Sequence, residues 1–183
     1  KEVKTKSDIA KFVEYPNKLY KGNEYFVPFF SGDEKNKFDK DKNESYDDCI
    51  VKCFLAIRDK KIVGRIAGII QKLHNEKTGE KRVRFSRFDC IDDEEVSYAL
   101  FSAVEGWAKA QGMEIIHGPM GYNDLDREGM LIDGFDQMST FEEQYNYEYY
   151  PKLVEAYGFK KEVDWVEYRI FTPKEENERI KHI

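Results

Sequence analysis

The chain has 183 residues, enough for one domain with a buried core, and its 36% charged, 40% hydrophobic and 15% aromatic residues are typical of a folded soluble protein. Its formal net charge of −6 gives no basic face, which argues against nucleic acid as a partner and weakly favours a cationic partner such as an amine. No apolar run approaches the roughly 18 to 20 residues that span a bilayer and no signal peptide opens the chain, so we expect a cytoplasmic protein without a membrane partner.

The first predicted element is a helix that begins at Ser7 or Asp8, whose side chains suit an N-cap, and ends at Gly22. The following residues, 23–48, show no sustained periodicity. A stretch of this length without structure is typical of a lid or of a mobile excursion. We therefore predict that residues 31–48 are the most mobile internal stretch of the chain.

Two apolar strands joined by a tight turn at Asp59 to Lys61 are predicted over residues 49–71, "CIVKCFLAIRDKKIVGRIAGIIQ". Gly64 and Gly68, inside the second strand, indicate a bulge or a close approach of another part of the chain. A polar turn then leads to a third strand over residues 82–91, "RVRFSRFDCI".

A helix over residues 93–111 is predicted by apolar residues at helical spacing, and Gly112 ends it. The apolar positions are Val96, Ala99, Leu100, Ala103, Val104 and Trp107. We expect Trp107 to be largely buried on the sheet. A short buried strand, "EIIHGP", follows, and a right-handed crossover places it parallel to the third strand.

The remaining chain is predicted as an irregular region over residues 120–145, a short helix over 149–159 and a final strand over 164–173, "DWVEYRIFTP". Residues 174–183 are charged and begin a further helix or a linker. We therefore expect a single domain over residues 1–173 with a mixed α/β (α+β) layout. Ligands of such sheets bind at the carboxyl ends of the strands, here Asp89 to Ile91 and His117 to Met120.

The order of these elements resembles that of the GNAT superfamily of acyl-CoA-dependent N-acyltransferases. The segment "NYEYYPKLVEAYGF" is similar to the GNAT pattern of an asparagine, a helix and Gly-Phe, with Asn146 and Gly158-Phe159 at the matching positions. The resemblance implies a mixed, mostly antiparallel sheet with helices on both faces and one parallel strand pair at a central crevice. It also implies acetyl-CoA or another acyl-CoA as cofactor and a small-molecule substrate such as an amine.

More closely, the chain resembles the first half of a widespread bacterial family with a GNAT-like fold, over most of residues 15–160. Longer members continue into a second half that this chain lacks, so contact with a second GNAT-like half or a homodimer is implied. The matching segments are "PNKLYKGNEYFVP", "FLAIRDKKIVGRIAGII", "FDCIDDEEVSYALFSAVEGWAKAQGM", "HGPMGYNDLDREGMLIDGFD" and "YNYEYYPKLVEAYGF".

The first departure from the GNAT pattern is the turn "CIDDEE", residues 90–95, before the predicted 93–111 helix. Active members have a glycine-containing turn there, whose N–H groups and helix dipole hold the CoA pyrophosphate. This turn has no glycine and four carboxylates, so we predict that acetyl-CoA binds weakly in the usual pose. The alternative is an ordinary acidic helix start, in which Asp92 caps the helix and Glu95 completes a capping box.

The second departure is Val154, at the position where active members often have a tyrosine that acts as the general acid for the departing thiolate. Tyr149 and Tyr150 lie one turn earlier and can substitute for it. The alternative is that both are ordinary aromatic residues of a core or its rim.

Two further catalytic candidates are His117, a general base near neutral pH, and Glu128, a carboxylate in a loop where function is common. The alternatives are that His117 is a packed, hydrogen-bonded histidine and that Glu128 is a solvated charged residue of a loop. Glu128 belongs to a polar group that can bind or deprotonate a substrate ammonium: Asn123, Asp124, Asp126, Arg127 and Glu128.

The three cysteines are predicted to be reduced. Cys49 and Cys53 lie four residues apart in a strand, about 13 Å, which is too far for a disulfide. Cys90 fits a buried thiol better than a nucleophile, and the scattered histidines predict no zinc site. Arg65 and Arg87, inside strands, are predicted to be structural ion-pair partners, and the alternative is that they bind a phosphate or a carboxylate of a ligand.

The leading hypothesis is an acyltransferase, or its degenerate relative, that holds acyl-CoA mainly through the pantetheine. The alternatives are a non-catalytic GNAT-like module that binds a ligand or a partner domain, and a purely structural domain. The predicted cofactor-binding residues are Asp89, Cys90, Ile91 and Asn146, and the predicted catalytic residues are Tyr150, Tyr149, His117 and Glu128.

Overall fold

A computed structural model describes residues 1–172, so the predicted helix start or linker at 174–183 lies outside the described residues. Four strands form one sheet in the order β1-β2-β3-β4. The strands are β1 (Cys49–Arg58), β2 (Lys61–Gln71), β3 (Arg82–Cys90) and β4 (Ile115–His117). The helices are α1 (Lys6–Leu19), α2 (Ser31–Lys37), α3 (Lys72–Thr78), α4 (Glu94–Ala110) and α5 (Tyr150–Tyr157).

The sheet has the predicted mixed topology. β1 and β2 form an antiparallel hairpin whose turn residues, Asp59 and Lys60, both have positive φ, as a tight two-residue hairpin turn requires. β2 and β3 are also antiparallel, whereas β3 and β4 are parallel and connected through α4. The predicted hairpin, third strand, helix and parallel strand are therefore confirmed.

Helices cover both faces of the sheet because the side chains of β2 alternate between two cores. Ile66 and Ile70 pack with α4 and α5 in the larger core. Ala67 packs with Phe12 and Val13 of α1 in the smaller core. None of the described helices is both long and apolar enough to cross a membrane.

Gly68 allows α4 to approach the sheet closely. A Cβ atom at this position would lie 2.5 Å from Cζ3 of Trp107, nearer than two carbon atoms can pack. Gly64 is similar, with Leu100 Cδ1 at 2.8 Å, and the register of β1 against β2 shifts beside it. Trp107 lies on the sheet as predicted, but it is only partly buried.

A Gly68→Ala variant is expected to lose about 1–3 kcal/mol of unfolding free energy, because the added methyl group overpacks the contact with Trp107. Gly106→Ala in α4 is the control. No atom lies within 4 Å of a Cβ there, so alanine should leave stability unchanged or raise it through its higher helix propensity. Urea unfolding followed by tryptophan fluorescence measures both, and equal midpoints for the two variants would contradict the packing argument.

Two predicted elements are wrong. The polar turn between β2 and β3 contains α3, which Gly79 ends in the left-handed conformation. The final strand is absent from the described part of 164–173, where Trp165, Tyr168 and Ile170 are more than 80% exposed. A strand needs a hydrogen-bonded neighbour, and no described strand pairs with this segment or with the outer edge of β4.

The region 23–48 contains more structure than its lack of periodicity predicts. It includes α2 and a short 3₁₀ helix at Glu44–Asp47. Glu34 and Phe38 are both buried, and they anchor the region to the rest of the chain. The greater mobility of residues 31–48 stays a prediction, which hydrogen exchange can test against α4.

Candidate functional site

A crevice opens where β3 and β4 separate. The two strands pair only from Arg82 to Arg84 on β3, opposite Ile115 to His117 on β4. After a cis Gly118-Pro119 peptide the chain turns across β3, and the N–H of Met120 donates to the carbonyl of Phe85 at 2.9 Å. The carboxyl end of β3 therefore faces the irregular loop 120–145 and α5 instead of another strand.

A buried polar cluster lies at this end of β3. Asp89 Oδ2 accepts a hydrogen bond from Arg65 Nε at 2.7 Å, and both side chains are 1% exposed. The hydroxyls of Tyr20 and Tyr150 lie 3.0 and 3.2 Å from Asp89 Oδ1 and 2.7 Å from each other. Tyr20 ends α1 and is a member of the site that sequence reasoning missed.

Burial controls the protonation states in this cluster. It raises the pKa of the Asp89 carboxyl, while the Arg65 guanidinium and the two hydroxyls favour the ionised form. Burial and the neighbouring Asp89 raise the pKa of Tyr20 and of Tyr150 well above 10. Both phenols therefore remain protonated hydrogen-bond donors at neutral pH.

The backbone groups predicted to hold pantetheine are already hydrogen-bonded within the chain. The Tyr149 hydroxyl donates to the carbonyl of Cys90 at 2.7 Å, and the N–H of Cys90 donates to the Tyr150 hydroxyl at 3.3 Å. The N–H of Ile91 donates to the carbonyl of Val63. A pantetheine amide that binds at Cys90 would have to replace the contact with Tyr149.

Tyr149 and Tyr150 differ in access. Tyr150 is 1% exposed, and its hydroxyl lies within the buried cluster of Asp89 and Tyr20. Tyr149 is only partly buried. Burial raises the pKa of Tyr149 also. Asn146 is buried and holds the 120–145 loop through two hydrogen bonds to the backbone of Leu131. Its Oδ1 accepts from the N–H of Leu131, and its Nδ2 donates to the carbonyl of Leu131.

A second buried ionic cluster surrounds Arg87, which has a φ of 51° at a shift in the register between β2 and β3. Its Nε donates to Glu34 Oε1 and its Nη2 to Asp126 Oδ1, both at 2.7 Å. Lys37 also contacts Asp126, at 2.6 Å. The predicted structural ion pairing of Arg65 and Arg87 is thus confirmed, and Asp126 belongs to this cluster.

His117 and Glu128 are not part of the tyrosine cluster. His117 ends β4 opposite Arg84, five residues from Asp89, or roughly 17 Å along β3. Its Nδ1 lies 3.0 Å from Arg82 Nη1 and its Nε2 lies 2.5 Å from a Glu162 carboxylate oxygen. The Glu128 side chain is exposed. Their catalytic roles stay predictions.

The acidic start of α4 differs from the predicted cap. Asp93, and not Asp92, is the N-cap, and its carboxylate accepts from the N–H of Val96 at 3.1 Å. Arg58 contacts both Asp93 and Glu95 at 2.7 Å, so Glu95 forms an ion pair instead of a capping box. Asp92 is exposed.

All three cysteines are free and buried, and burial raises the pKa of each thiol.

Two curated bacterial proteins are similar in sequence to this chain, and no protein-family model matches it. Protein YghO of Escherichia coli (strain K12) is 34% identical over 160 residues, 87% of this chain and 40% of that protein. Bacterial ceramide synthase of Caulobacter vibrioides is 29% identical over 169 residues, 91% of this chain and 44% of that protein. The chain therefore spans less than half the length of these relatives.

Solved acetyltransferases share the fold. An aminoglycoside acetyltransferase from an uncultured soil metagenomic sample, in complex with sisomicin, superposes with a TM-score of 0.53 at 11% identity, covering 93% of both chains. A predicted acetyltransferase from Clostridium acetobutylicum, solved with acetyl-CoA, also has a TM-score of 0.53, at 12% identity over 91% of this chain and 92% of that one. Together with the mixed sheet and its parallel β3–β4 pair, these likenesses show that the chain shares the fold of these solved acetyltransferases.

Proposed function

We propose that the chain contributes to an acyl-CoA-dependent N-acyltransferase, which moves an acyl group from a thioester to an amine. The observation that carries this proposal is the crevice where β3 and β4 separate, beside which the hydroxyls of Tyr149 and Tyr150 hydrogen-bond to residues at the carboxyl end of β3. The relatives support the same chemistry. A ceramide is an amide of a long-chain amino alcohol, and aminoglycosides are amines.

In such a reaction the amine attacks the thioester carbonyl, and negative charge passes to the departing sulfur. Tyr149 is the better placed of the two tyrosines to stabilise that charge, because its side chain is partly exposed. Its raised pKa lies above that of an ordinary thiol, about 8.5, so complete proton transfer is uphill. We therefore assign to Tyr149 a hydrogen bond to the developing thiolate, which it makes after its hydroxyl leaves the Cys90 carbonyl. We assign to Tyr150 the positioning of β3.

The amine must also lose a proton before it attacks. Glu128 and His117 are the proposed bases, and neither is hydrogen-bonded to the tyrosine cluster. The 120–145 loop carries Glu128 and contains no helix or strand. A rearrangement of this loop is therefore the proposed route by which a carboxylate reaches the amine.

A Tyr149→Phe variant is expected to lower kcat by about 100-fold with little change in KM, the effect of removing one donor to transition-state charge. Thiol release from acyl-CoAs of increasing chain length, with and without an amine, measures it. Tyr168→Phe, at an 82% exposed position, is the matched control. Equal kcat in the two variants would remove Tyr149 from the mechanism, and amine-independent or absent thiol release by the unmodified chain would contradict the acyltransferase proposal.

The alternative is a non-catalytic GNAT-like module that binds a ligand, a second GNAT-like half or a second copy of itself. The acidic residues before α4 favour it, because they oppose the usual placement of the CoA pyrophosphate. The exposed apolar side chains of 163–171 also suit a protein contact. Saturable binding of an acyl-CoA without thiol release in the presence of amines would favour this alternative.

A further inference from the structure

We propose that Arg127 is an anion-binding residue beside the crevice, which holds a carboxylate or phosphate group of a bound ligand. Arg127 lies on the 120–145 loop, next in sequence to Asp126 of the Arg87 cluster. The proposal depends on the charge balance around this side chain. The anion site itself does not rest on the proposed acyltransferase function. Only the identity of the molecule that carries the anionic group rests on that function.

The chain holds the guanidinium of Arg127 in one orientation. Its Nε and Nη2 both donate to the carbonyl of Phe141, at 3.3 and 2.7 Å. Its central carbon lies 3.4 Å from the centre of the Phe29 ring, which is a close cation–π contact. The Nε–Nη2 edge is therefore occupied by Phe141, and the fixed guanidinium leaves Nη1 as the nitrogen that can donate to a carboxylate or phosphate oxygen.

The third nitrogen of the same guanidinium has no partner. Nη1 of Arg127 is buried and makes no hydrogen bond within residues 1–172. A buried donor without an acceptor costs roughly 1–3 kcal/mol, and more when the group is charged. Most buried polar groups in proteins are satisfied by protein or by ordered water, so Nη1 is a donor that a group from outside the chain can use.

The neighbouring charges do not neutralise Arg127. The two carboxylates whose charges act on Arg127, Glu34 and Asp126, are both paired with Arg87, and Asp126 is also paired with Lys37. Two cations and two carboxylates thus balance in that cluster, and Arg127 forms no ion pair with a described residue. Burial lowers the pKa of Arg127 to about 10, which leaves it charged at neutral pH.

Arg127 also lines the narrow cleft at the carboxyl end of β3, together with Arg87, Asn146 and Tyr150. The Arg87 charge is already satisfied, so Arg127 supplies the net positive charge of this cleft. An oxyanion that reaches Nη1 requires a local shift of the loop around Arg127, because Arg87 and Asn146 hold the loop on either side, at Asp126 and Leu131. The ligand class that fits is therefore a small molecule with a carboxylate or a phosphate group.

Isothermal titration with four probes tests the proposal: inorganic phosphate, acetate, coenzyme A and pantetheine. The variants are Arg127→Gln and the control Arg169→Gln, whose side chain is exposed. We expect at least one oxyanion probe to bind the unmodified chain and the control equally, and to bind Arg127→Gln roughly 30-fold more weakly. Arg127→Lys, which keeps the charge but not the fork, should give an intermediate loss and guards against misfolding of the glutamine variant.

The probes separate the sources of the anion. Weaker binding of coenzyme A with unchanged binding of pantetheine would assign the site to the phosphates of the acyl donor. Weaker binding of phosphate or acetate alone would assign it to an anionic group of the acceptor. The proposal is overturned if no oxyanion binds at millimolar concentration, or if Arg127→Gln binds every probe as the control does. No step of this test measures thiol release. The titration therefore tests anion binding by Arg127 even if the chain proves not to be an acyltransferase.

Discussion

An Arg87→Met variant is expected to lose about 3–5 kcal/mol of unfolding free energy at pH 7, a large part of the stability of an ordinary domain. Arg87 is 2% exposed and pairs with two buried carboxylates, Glu34 and Asp126. Its removal leaves two negative charges in the interior, of which only Asp126 keeps an ion pair with a described residue, Lys37. The same contacts join α2 and the 120–145 loop to β3, so both segments should loosen as well.

The loss should depend on pH in a defined direction. Burial acts to raise the pKa of Glu34 and of Asp126, but the Arg87 guanidinium outweighs it and lowers both. The unmodified chain thus keeps this stabilisation when the pH is above the pKa values of the two carboxyls in the unfolded state, about 4. It loses the stabilisation as the pH falls through their lowered pKa values in the folded state. Without Arg87, burial raises both pKa values instead, so the variant regains stability on acidification. The difference between the two chains should shrink from pH 7 to pH 4.

Urea unfolding at the two pH values measures this difference. Arg58→Met is the matched control, because Arg58 also pairs with two carboxylates, Asp93 and Glu95, but at the surface. Its loss of stability should be much smaller, since solvent screens exposed ion pairs. Equal losses in the two variants, or a deficit for Arg87→Met that does not change with pH, would contradict a buried ionic cluster.

The unmodified chain is expected to bind acetyl-CoA with a Kd no tighter than the high-micromolar range in the usual pose. The start of α4 carries four carboxylates, Asp92 to Glu95, and its two cationic partners, Arg58 and Lys152, neutralise only part of that charge. A pyrophosphate that approaches the α4 N-terminus therefore meets repulsion in place of free N–H donors. Longer acyl chains should improve binding, because they add apolar contact without adding negative charge.

The structure changes which residues should be replaced to test this. Asp93 caps α4 and pairs with Arg58, so its removal would also destabilise the helix. Asp92→Asn and Glu94→Gln remove charge from exposed positions instead. Each should strengthen acetyl-CoA binding by about fivefold at low salt, from a repulsion of roughly 1 kcal/mol at about 4 Å in water, and less at high salt.

Calorimetry decides the outcome, with Glu76→Gln on the exposed surface of α3 as a control for net charge. Low-micromolar binding by the unmodified chain would show that the acidic turn does not exclude the pyrophosphate. It would then favour an ordinary CoA pose. No binding by the unmodified chain or by the variants would favour the non-catalytic module.

Local signals in the sequence were sufficient for the centre of the fold. The Asp59–Lys60 turn between two apolar strands predicts the β1–β2 hairpin, and the spacing of apolar residues predicts α4 within one residue at each end. The crossover rule then predicts that β4 lies parallel to β3. The turn and the helix depend on residues that are close in sequence, and the crossover depends on the right-handed twist common to all L-amino-acid chains. The sequence alone is therefore sufficient to predict them.

The partners of individual residues required the tertiary structure. Tyr20 and Tyr150 meet across 130 positions of sequence, and Arg87 meets Glu34 across 53, without any periodic signal. The orphan nitrogen of Arg127 is recognised only once its neighbours are known to be paired elsewhere. The prediction of a final strand over 164–173 failed for the same reason. The apolar and aromatic residues of one segment suit a strand, but a strand forms only where a second strand offers hydrogen bonds, and no pattern within the segment specifies that neighbour.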